Sequence, residues 1–410
     1  MLDRRTFLGH TAFLNLFPLA GWSSREDITA PHKASRQGPF NPIAGAAYGK
    51  GKSRLFIAHR GVNLKQSIAG ENSLEAIRLA ARAGFDAVEF DIRRSADGHW
   101  VVMHDETLNR SMLHSDGSVL EQPVKVSDHS LESLKSNFIL KATEIRNRTR
   151  IPTMKEFLLA CKRAAVIPFI EIKPHGLADD TYRQIIREAD QAVGRGNYVI
   201  TSNNEANETI RRLGIQYVTL MGILYQTTFD KIAHLNNVIM AVSTSRFSPA
   251  EYAQHVAQAN LSGLPTESSA DNFERFCLIN DHAVDVVSTD LLAADPADGG
   301  AWMDRISSDD TFEGFTHTGN QTGGRLTLKA GDTLRLKSEH SPLYFGGLFF
   351  EINLEGKCEV ALGGQTFVIN SPESKTYTHQ VLIYNQAPRF LLTAESPCTV
   401  RGIEIKIAKY

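Results

Sequence analysis

The sequence predicts an α/β chain: a parallel (β/α)8 (TIM) barrel followed by a C-terminal antiparallel β-sandwich. Three observations carry that expectation. From Ser53 onward, short apolar runs alternate with amphipathic helical stretches, the order that builds a parallel sheet with helical crossovers. Eight such runs precede Ser308. Beyond Ser308 the helical period disappears, and alternating strands punctuated by Gly, Pro and Asn mark an all-β unit of roughly a hundred residues. An open doubly wound sheet is the competing architecture, because periodicity does not reveal closure.

Residues 1–24 contain "MLDRRTFLGHTAFLNLFPLAG", in which Arg4 and Arg5 precede an apolar run from Phe7 to Ala20. The run is short for a membrane span, so it predicts an export signal similar to the twin-arginine type. The expected mature protein is exported, periplasmic or extracellular, with no transmembrane segment; a plain apolar leader or N-terminal helix is the alternative. Residues 25–51 are rich in Pro, Gly, Ala and Ser and read as a linker. The barrel is expected over 52–306 and the sandwich over 307–410.

The eight expected barrel strands are LFIAH (55–59), AVEFDI (87–92), PFIEIK (168–173), YVITS (198–202), QYVTLMG (216–222), NVIMAVS (237–243), SGLPT (262–266) and DVVST (285–289). Between them, Asn72 with Glu75, Thr153 with Glu156, and Asp271 with Glu274 have the spacing of helix capping boxes. "EFDIRRSADGHWVVMHDETL" holds two strand-like runs joined by Asp97-Gly98, a hairpin turn that returns His104 toward Glu89 and Asp91. Residues 106–150 are then an insertion.

The net charge is −2, which gives no support for a nucleic-acid partner or a polybasic membrane patch. Four cysteines are too few for a disulfide-built scaffold. Cys161 and Cys277 lie on helical patterns and read as buried thiols. A Cys358–Cys398 disulfide is open in an oxidising compartment.

Catalytic groups of such barrels gather at the C-terminal ends of the strands. His59 and Arg60 end the first strand. Glu89 and Asp91 lie two apart on the second and share its inward face, as do Glu171 and Lys173 on the third. Three carboxylates directed into one barrel need a compensating charge. A hard divalent cation, Ca2+ or Mg2+, supplies it with oxygen ligands, and pairing with Arg60, Arg93 or Lys173 is the plain alternative. His59 and His104 suit general acid and base roles near neutral pH, while Arg60 and Lys173 suit an anionic phosphoryl group. Together they are the equipment of phosphodiester cleavage.

"HRG", "ENSLEAI", "VEFDIRRSADGHWVVMHDETLNR", "IPTMKEFL" and "FIEIK", in that order, resemble the glycerophosphodiester phosphodiesterases over about residues 53–295. The resemblance implies His59 and His104 as acid and base, and Glu89, Asp91 and Glu171 as metal ligands. It implies Arg60 and Lys173 as phosphate contacts, with Glu71 and Asn72 supporting the same mouth. Two departures, Gly70 for a frequent proline and Leu264-Pro265-Thr266-Glu267 for a tryptophan-containing strand, touch substrate shape.

The expected function is metal-dependent hydrolysis of a small glycerophosphodiester to glycerol phosphate and an alcohol. A phospholipase-like enzyme acting on lipid or cell-envelope phosphodiesters shares the same residues. A non-catalytic exported glycan-binding protein is the reading from another class. In the β-domain, Tyr344, Phe345, Phe349, Phe350 and Tyr384 are either core residues or a face for glycan or envelope contact.

Overall fold

A computed structural model describes residues 54–295, 302–308, 311–337 and 345–410. The expected signal and linker, and Tyr344, lie outside these residues. No described helix is long and apolar enough to cross a membrane.

The chain opens with β1 (Leu55–Ala58) and β2 (Ala87–Arg94), followed by the hairpin strand β3 (Trp100–Val102) and a two-stranded excursion, β4 (Met112–His114) with β5 (Phe138–Leu140). It continues through β6 (Ile167–Ile172), β7 (Val199–Thr201), β8 (Thr219–Ile223), β9 (Val238–Ala241), β10 (Thr266–Ser269) and β11 (Val286–Thr289). Eight of these strands are parallel neighbours in the order β1, β11, β10, β9, β8, β7, β6, β2, and β1 pairs again with β2. The sheet is therefore a closed barrel, not an open one. Its interior is filled by Leu55, Ile57, Ala87, Phe169, Val199, Ile239 and Val286. Alternate residues pack outward against the helices, which is why the strands read as almost continuous apolar runs.

The helices are α1 (Leu74–Arg82), α2 (Leu131–Asn137) in the excursion, α3 (Met154–Ala164), α4 (Asp179–Val193), α5 (Asn204–Arg212), α6 (Phe229–Ala233), α7 (Pro249–Leu261) and α8 (Phe273–Asn280). Thr153 and Glu156 form the expected capping box of α3. Two other caps fall one residue later than expected. Ser73, not Asn72, accepts from the Ala76 amide to start α1, and Asn272, not Asp271, accepts from the Arg275 amide to start α8. The displaced Asn72 and Asp271 are thereby free to serve the barrel mouth. SGLPT (262–266) is a loop rather than a strand; β10 starts at Thr266, after Pro265.

The antiparallel domain comprises β12 (Trp302–Ser307), β13 (Phe315–His317), β14 (Asn320–Thr322), β15 (Arg325–Leu328), β16 (Thr333–Leu336), β17 (Phe345–Leu362), β18 (Gln365–Tyr384), β19 (Phe390–Ala394) and β20 (Cys398–Lys409). Strand β12 pairs with β20, so this domain takes in residues 302–306, which the sequence reading gave to the barrel. Its strands are hydrogen-bonded into one sheet, and register shifts near Leu354 bend β17 so that the sheet wraps a single apolar core. Cys358 and Cys398 are buried, unbridged thiols in that core.

The two domains share packing. Phe273 of α8 belongs to the β-domain core and stacks on Phe367 at 4.1 Å between centroids. Phe345 and Leu382 belong in turn to the barrel core. Phe350 is buried, and Phe349 and Tyr384 pack against the barrel core, so these aromatics are spent in packing rather than presented as a binding face.

Candidate active site

Strand alternation and the sharp exit from β1 bring the predicted residues together. Gly61 has φ +75°, and a Cβ there would lie 2.5 Å from the Ala76 Cβ, so the chain leaves β1 against α1 only with glycine at this point. Arg60 itself is in the left-handed region (φ 55°). This turn directs the Arg60 amide to Glu89 Oε2 at 3.1 Å. Strained backbone at a strand end is a feature that functional sites tolerate.

Glu89, Asp91 and Glu171 each offer an oxygen within 4.8 Å of the others. Register explains the convergence: β2 and β6 pair in parallel with Asp91 opposite Glu171. Asp91 is fully buried, and three groups hold it. Asn72 Nδ2 donates to Oδ2 at 2.8 Å, Lys173 Nζ lies 3.0 Å from Oδ1, and Arg60 Nε lies 3.4 Å from Oδ2. Asn72 reaches this position because its backbone takes φ 61°. Lys173 also donates to Glu171 Oε1 at 2.6 Å.

The cations do not satisfy the whole cluster. Burial, and then the Asp91 charge, push the Glu89 carboxyl up to about 8, although His59 opposes this. Burial also disfavours the charged form of Asp91, but Lys173 and Arg60 outweigh it and hold that carboxyl below its ordinary range. Glu89 Oε1 is buried with no hydrogen-bond partner among the described residues. An orphaned carboxylate oxygen facing two further carboxylates fits a hard divalent cation, which binds oxygen ligands. Glu89, Asp91 and Glu171 are the residues that would hold it. Arg93, the other candidate partner, is committed elsewhere: its Nε donates to the His104 carbonyl at 2.7 Å.

The two histidines stand beside this cluster in parallel arrangements. His59 Nδ1 lies 3.0 Å from Asp290 Oδ1, and its Nε2 lies 3.8 Å from Glu89 Oε2. His104 Nδ1 lies 2.5 Å from Asp105 Oδ1. Each aspartate occupies Nδ1 and leaves Nε2 for chemistry. Their environments differ. Burial lowers His59, yet the Asp290 hydrogen bond and the Glu89 charge overcome it and raise the imidazole to about 9. Burial dominates at His104 and lowers it despite Asp91 and Asp105.

Glu71 reaches the mouth as expected, but it is not a free ligand. Arg110 grips it through two bonds of 2.6 Å, with Gln66 at 3.1 Å and Arg60 at 3.3 Å. Arg110 also donates to Asp105 at 2.6 Å, so Glu71 and Asp105 are linked through one guanidinium.

Sequence reasoning missed Asp290, Asp105, Arg110 and Glu267. Asp290 follows directly on β11, so the strand-end rule applied to the eighth strand would have found it. Asp271 fixes it, accepting from the Asp290 amide at 2.7 Å and from the Thr289 hydroxyl at 2.8 Å. Asp105 is adjacent to His104 in the chain. Glu267 points into the barrel from β10, opposite the interior Val286. Burial pushes its carboxyl up to about 7.

Residues 59–248 match the model of the glycerophosphoryl diester phosphodiesterase family. A mouse glycerophosphodiester phosphodiesterase 1 is 35% identical over 139 residues, 33% of this chain and 39% of the relative. A glycerophosphodiester phosphodiesterase from Caldanaerobacter subterraneus subsp. tengcongensis is 34% identical over 120 residues, 29% of this chain and 45% of the relative. The chain thus spans less than half the length of either relative. A crystal structure from Silicibacter pomeroyi DSS-3, assigned as a glycerophosphoryl diester phosphodiesterase, superimposes with a TM-score of 0.51 at 18% identity. It covers 61% of this chain and 94% of that one, a likeness of fold.

Proposed function

Because the chain carries a domain of the glycerophosphoryl diester phosphodiesterase family over residues 59–248, we propose that its barrel hydrolyses glycerophosphodiesters to glycerol phosphate and an alcohol. The observation that carries the reading is the pair of histidines, each held at Nδ1 by an aspartate, beside three carboxylates within 4.8 Å of one another.

The chemistry divides among the residues. A divalent cation held by Glu89, Asp91 and Glu171 would supply charge stabilisation to the phosphoryl oxygens. Arg60 and Lys173, fixed on Asp91 and Glu171, bring positive charge to the same place and orient the anionic substrate. One histidine takes the proton of the attacking hydroxyl, either of water, which gives glycerol phosphate directly, or of a neighbouring glycerol hydroxyl, which gives a cyclic phosphate that water then opens. The other gives a proton to the oxygen of the departing alcohol. Asp290 and Asp105 keep both imidazoles in the tautomer and orientation that expose Nε2.

The test is incubation of the purified, metal-loaded protein with glycerophosphocholine, followed by detection of glycerol 3-phosphate. Its appearance, lost on chelation and restored by Ca2+ or Mg2+, is the expected result. Absence of hydrolysis of any diester would overturn the reading.

A further inference from the structure

The inner wall of the barrel mouth is divided. The sector formed by β1, β2, β6 and the residues after them carries His59, Glu89, Asp91, Glu171 and Lys173. Across from it, the inward positions of β7 to β10 include Thr201, Met221, Ala241 and Ser269, which are all uncharged. Glu267 breaks that pattern. It sits opposite Ala241 of β9 on one side and Val286 of β11 on the other, both inward positions, and it is 5% exposed.

This carboxyl has little to satisfy it. A hydrogen bond of 3.3 Å from the Ser269 hydroxyl reaches Oε1, and no Lys or Arg among the described residues forms an ion pair with it. Its hydrogen bond comes from Ser269, the last residue of β10, whose register partner Ser288 lies two residues before Asp290, so the carboxyl is turned toward the end of the barrel that carries His59. A buried acceptor in this state is costly unless a donor arrives. The phosphate is met in the other sector by Arg60 and Lys173, which are fixed on Asp91 and Glu171. The remaining part of the substrate is its organic portion.

Resting on the diesterase reading above, we infer that Glu267 is a specificity-determining residue that accepts a hydrogen bond from an O–H or N–H donor on the organic part of the diester. A glycerol hydroxyl and a primary ammonium on the alcohol share that chemistry. A quaternary ammonium, which has no N–H, does not.

Three diesters separate these sources when assayed with metal-loaded wild type, Glu267→Leu and Glu267→Gln. Glycerophosphocholine carries donors on its glycerol alone, glycerophosphoethanolamine carries them at both ends, and bis(p-nitrophenyl) phosphate carries none. In Glu267→Leu, kcat/KM for a donor-bearing diester relative to that for bis(p-nitrophenyl) phosphate should fall about 10- to 100-fold. Glu267→Gln, which keeps an acceptor oxygen, should fall less. A fall on both glycerol esters identifies the glycerol hydroxyl, and a fall on the ethanolamine ester alone identifies the ammonium. Unchanged ratios, or an equal loss on all three diesters, would overturn the assignment. A wild type inert on all three would overturn the diesterase reading and this assignment with it.

Discussion

Asp290 Oδ1 lies 3.0 Å from His59 Nδ1, and Asp271 holds the Asp290 backbone from behind at 2.7 Å. The ends of three elements therefore act on one imidazole: β1 supplies it, β11 orients it, and the turn before α8 fixes the orienting group. Replacing Asp290 with Ala should lower kcat about tenfold to a hundredfold, part of the usual acid–base contribution. KM should change less, because the side-chain hydrogen bond of Asp290 goes to the imidazole, while Arg60 and Lys173 are held by Asp91 and Glu171. Steady-state kinetics on glycerophosphocholine check this, and a loss confined to KM would count against an orienting role.

The carboxylate trio predicts a stability effect of the cation as well as a catalytic one. Adding Ca2+ or Mg2+ at about a hundredfold over its dissociation constant should stabilise the fold by about 2.7 kcal/mol, read as a rise in Tm. The double replacement Glu89→Gln with Glu171→Gln should abolish that rise. A metal-induced shift that survives in the double variant would mean that the ion binds elsewhere.

Asn72 separates backbone strain from a buried hydrogen bond. Asn72→Gly accepts the φ of 61° but loses the 2.8 Å bond to Asp91, which leaves a fully buried carboxylate short of a donor. A loss of about 1–3 kcal/mol in urea unfolding is expected. Wild-type stability in Asn72→Gly would show that the amide contributes nothing.

The β-domain supports the loop that follows Asp290. Gln380 Nε2 donates to the Ala293 carbonyl at 2.8 Å, and the Leu382 amide donates to the Leu291 carbonyl at 2.9 Å. Gln380→Ala should lower kcat several-fold while the melting of the barrel changes little. Unchanged kcat would limit the β-domain to packing.

His379 gives the β-domain a pH dependence. It is buried beside Phe273, Phe276 and Phe367, and burial lowers its pKa to about 3. The unfolded chain binds a proton near pH 6.5 that the folded chain refuses. The stabilising contribution is therefore present above about pH 6.5 and is lost as pH falls toward 3, with a slope of up to about 1.4 kcal/mol per pH unit. Tm measured from pH 7.5 to 4.5 should show a shallower fall in His379→Phe than in the wild type. Identical slopes would remove His379 from the account.

Strand ends and two-residue alternation made the candidate site legible in the sequence, because β1, β2 and β6 have apolar runs that end abruptly in charge. The eighth strand followed the same rule in Asp290. The seventh did not. Thr266–Ser269 has no apolar residue, since Glu267 and Ser269 face inward while Ser268 Oγ lies 2.9 Å from the buried Tyr252 hydroxyl. Its strand character is thus set by its neighbours in the barrel. The caps of α1 and α8 were displaced for a different reason. Asn72-Ser73 and Asp271-Asn272 each offer two adjacent capping residues, and pattern alone does not say which is drawn away to Asp91 or Asp290.

The central claim is that His59 and His104 share acid and base duties, and leaving-group dependence tests it most directly. On glycerophosphocholine, each metal-loaded alanine variant should turn over about a hundredfold or more slowly than wild type. On a p-nitrophenyl diester, whose leaving group needs no proton, one of the two variants should recover and the other should not. Near-wild-type turnover of glycerophosphocholine by either variant would contradict the account.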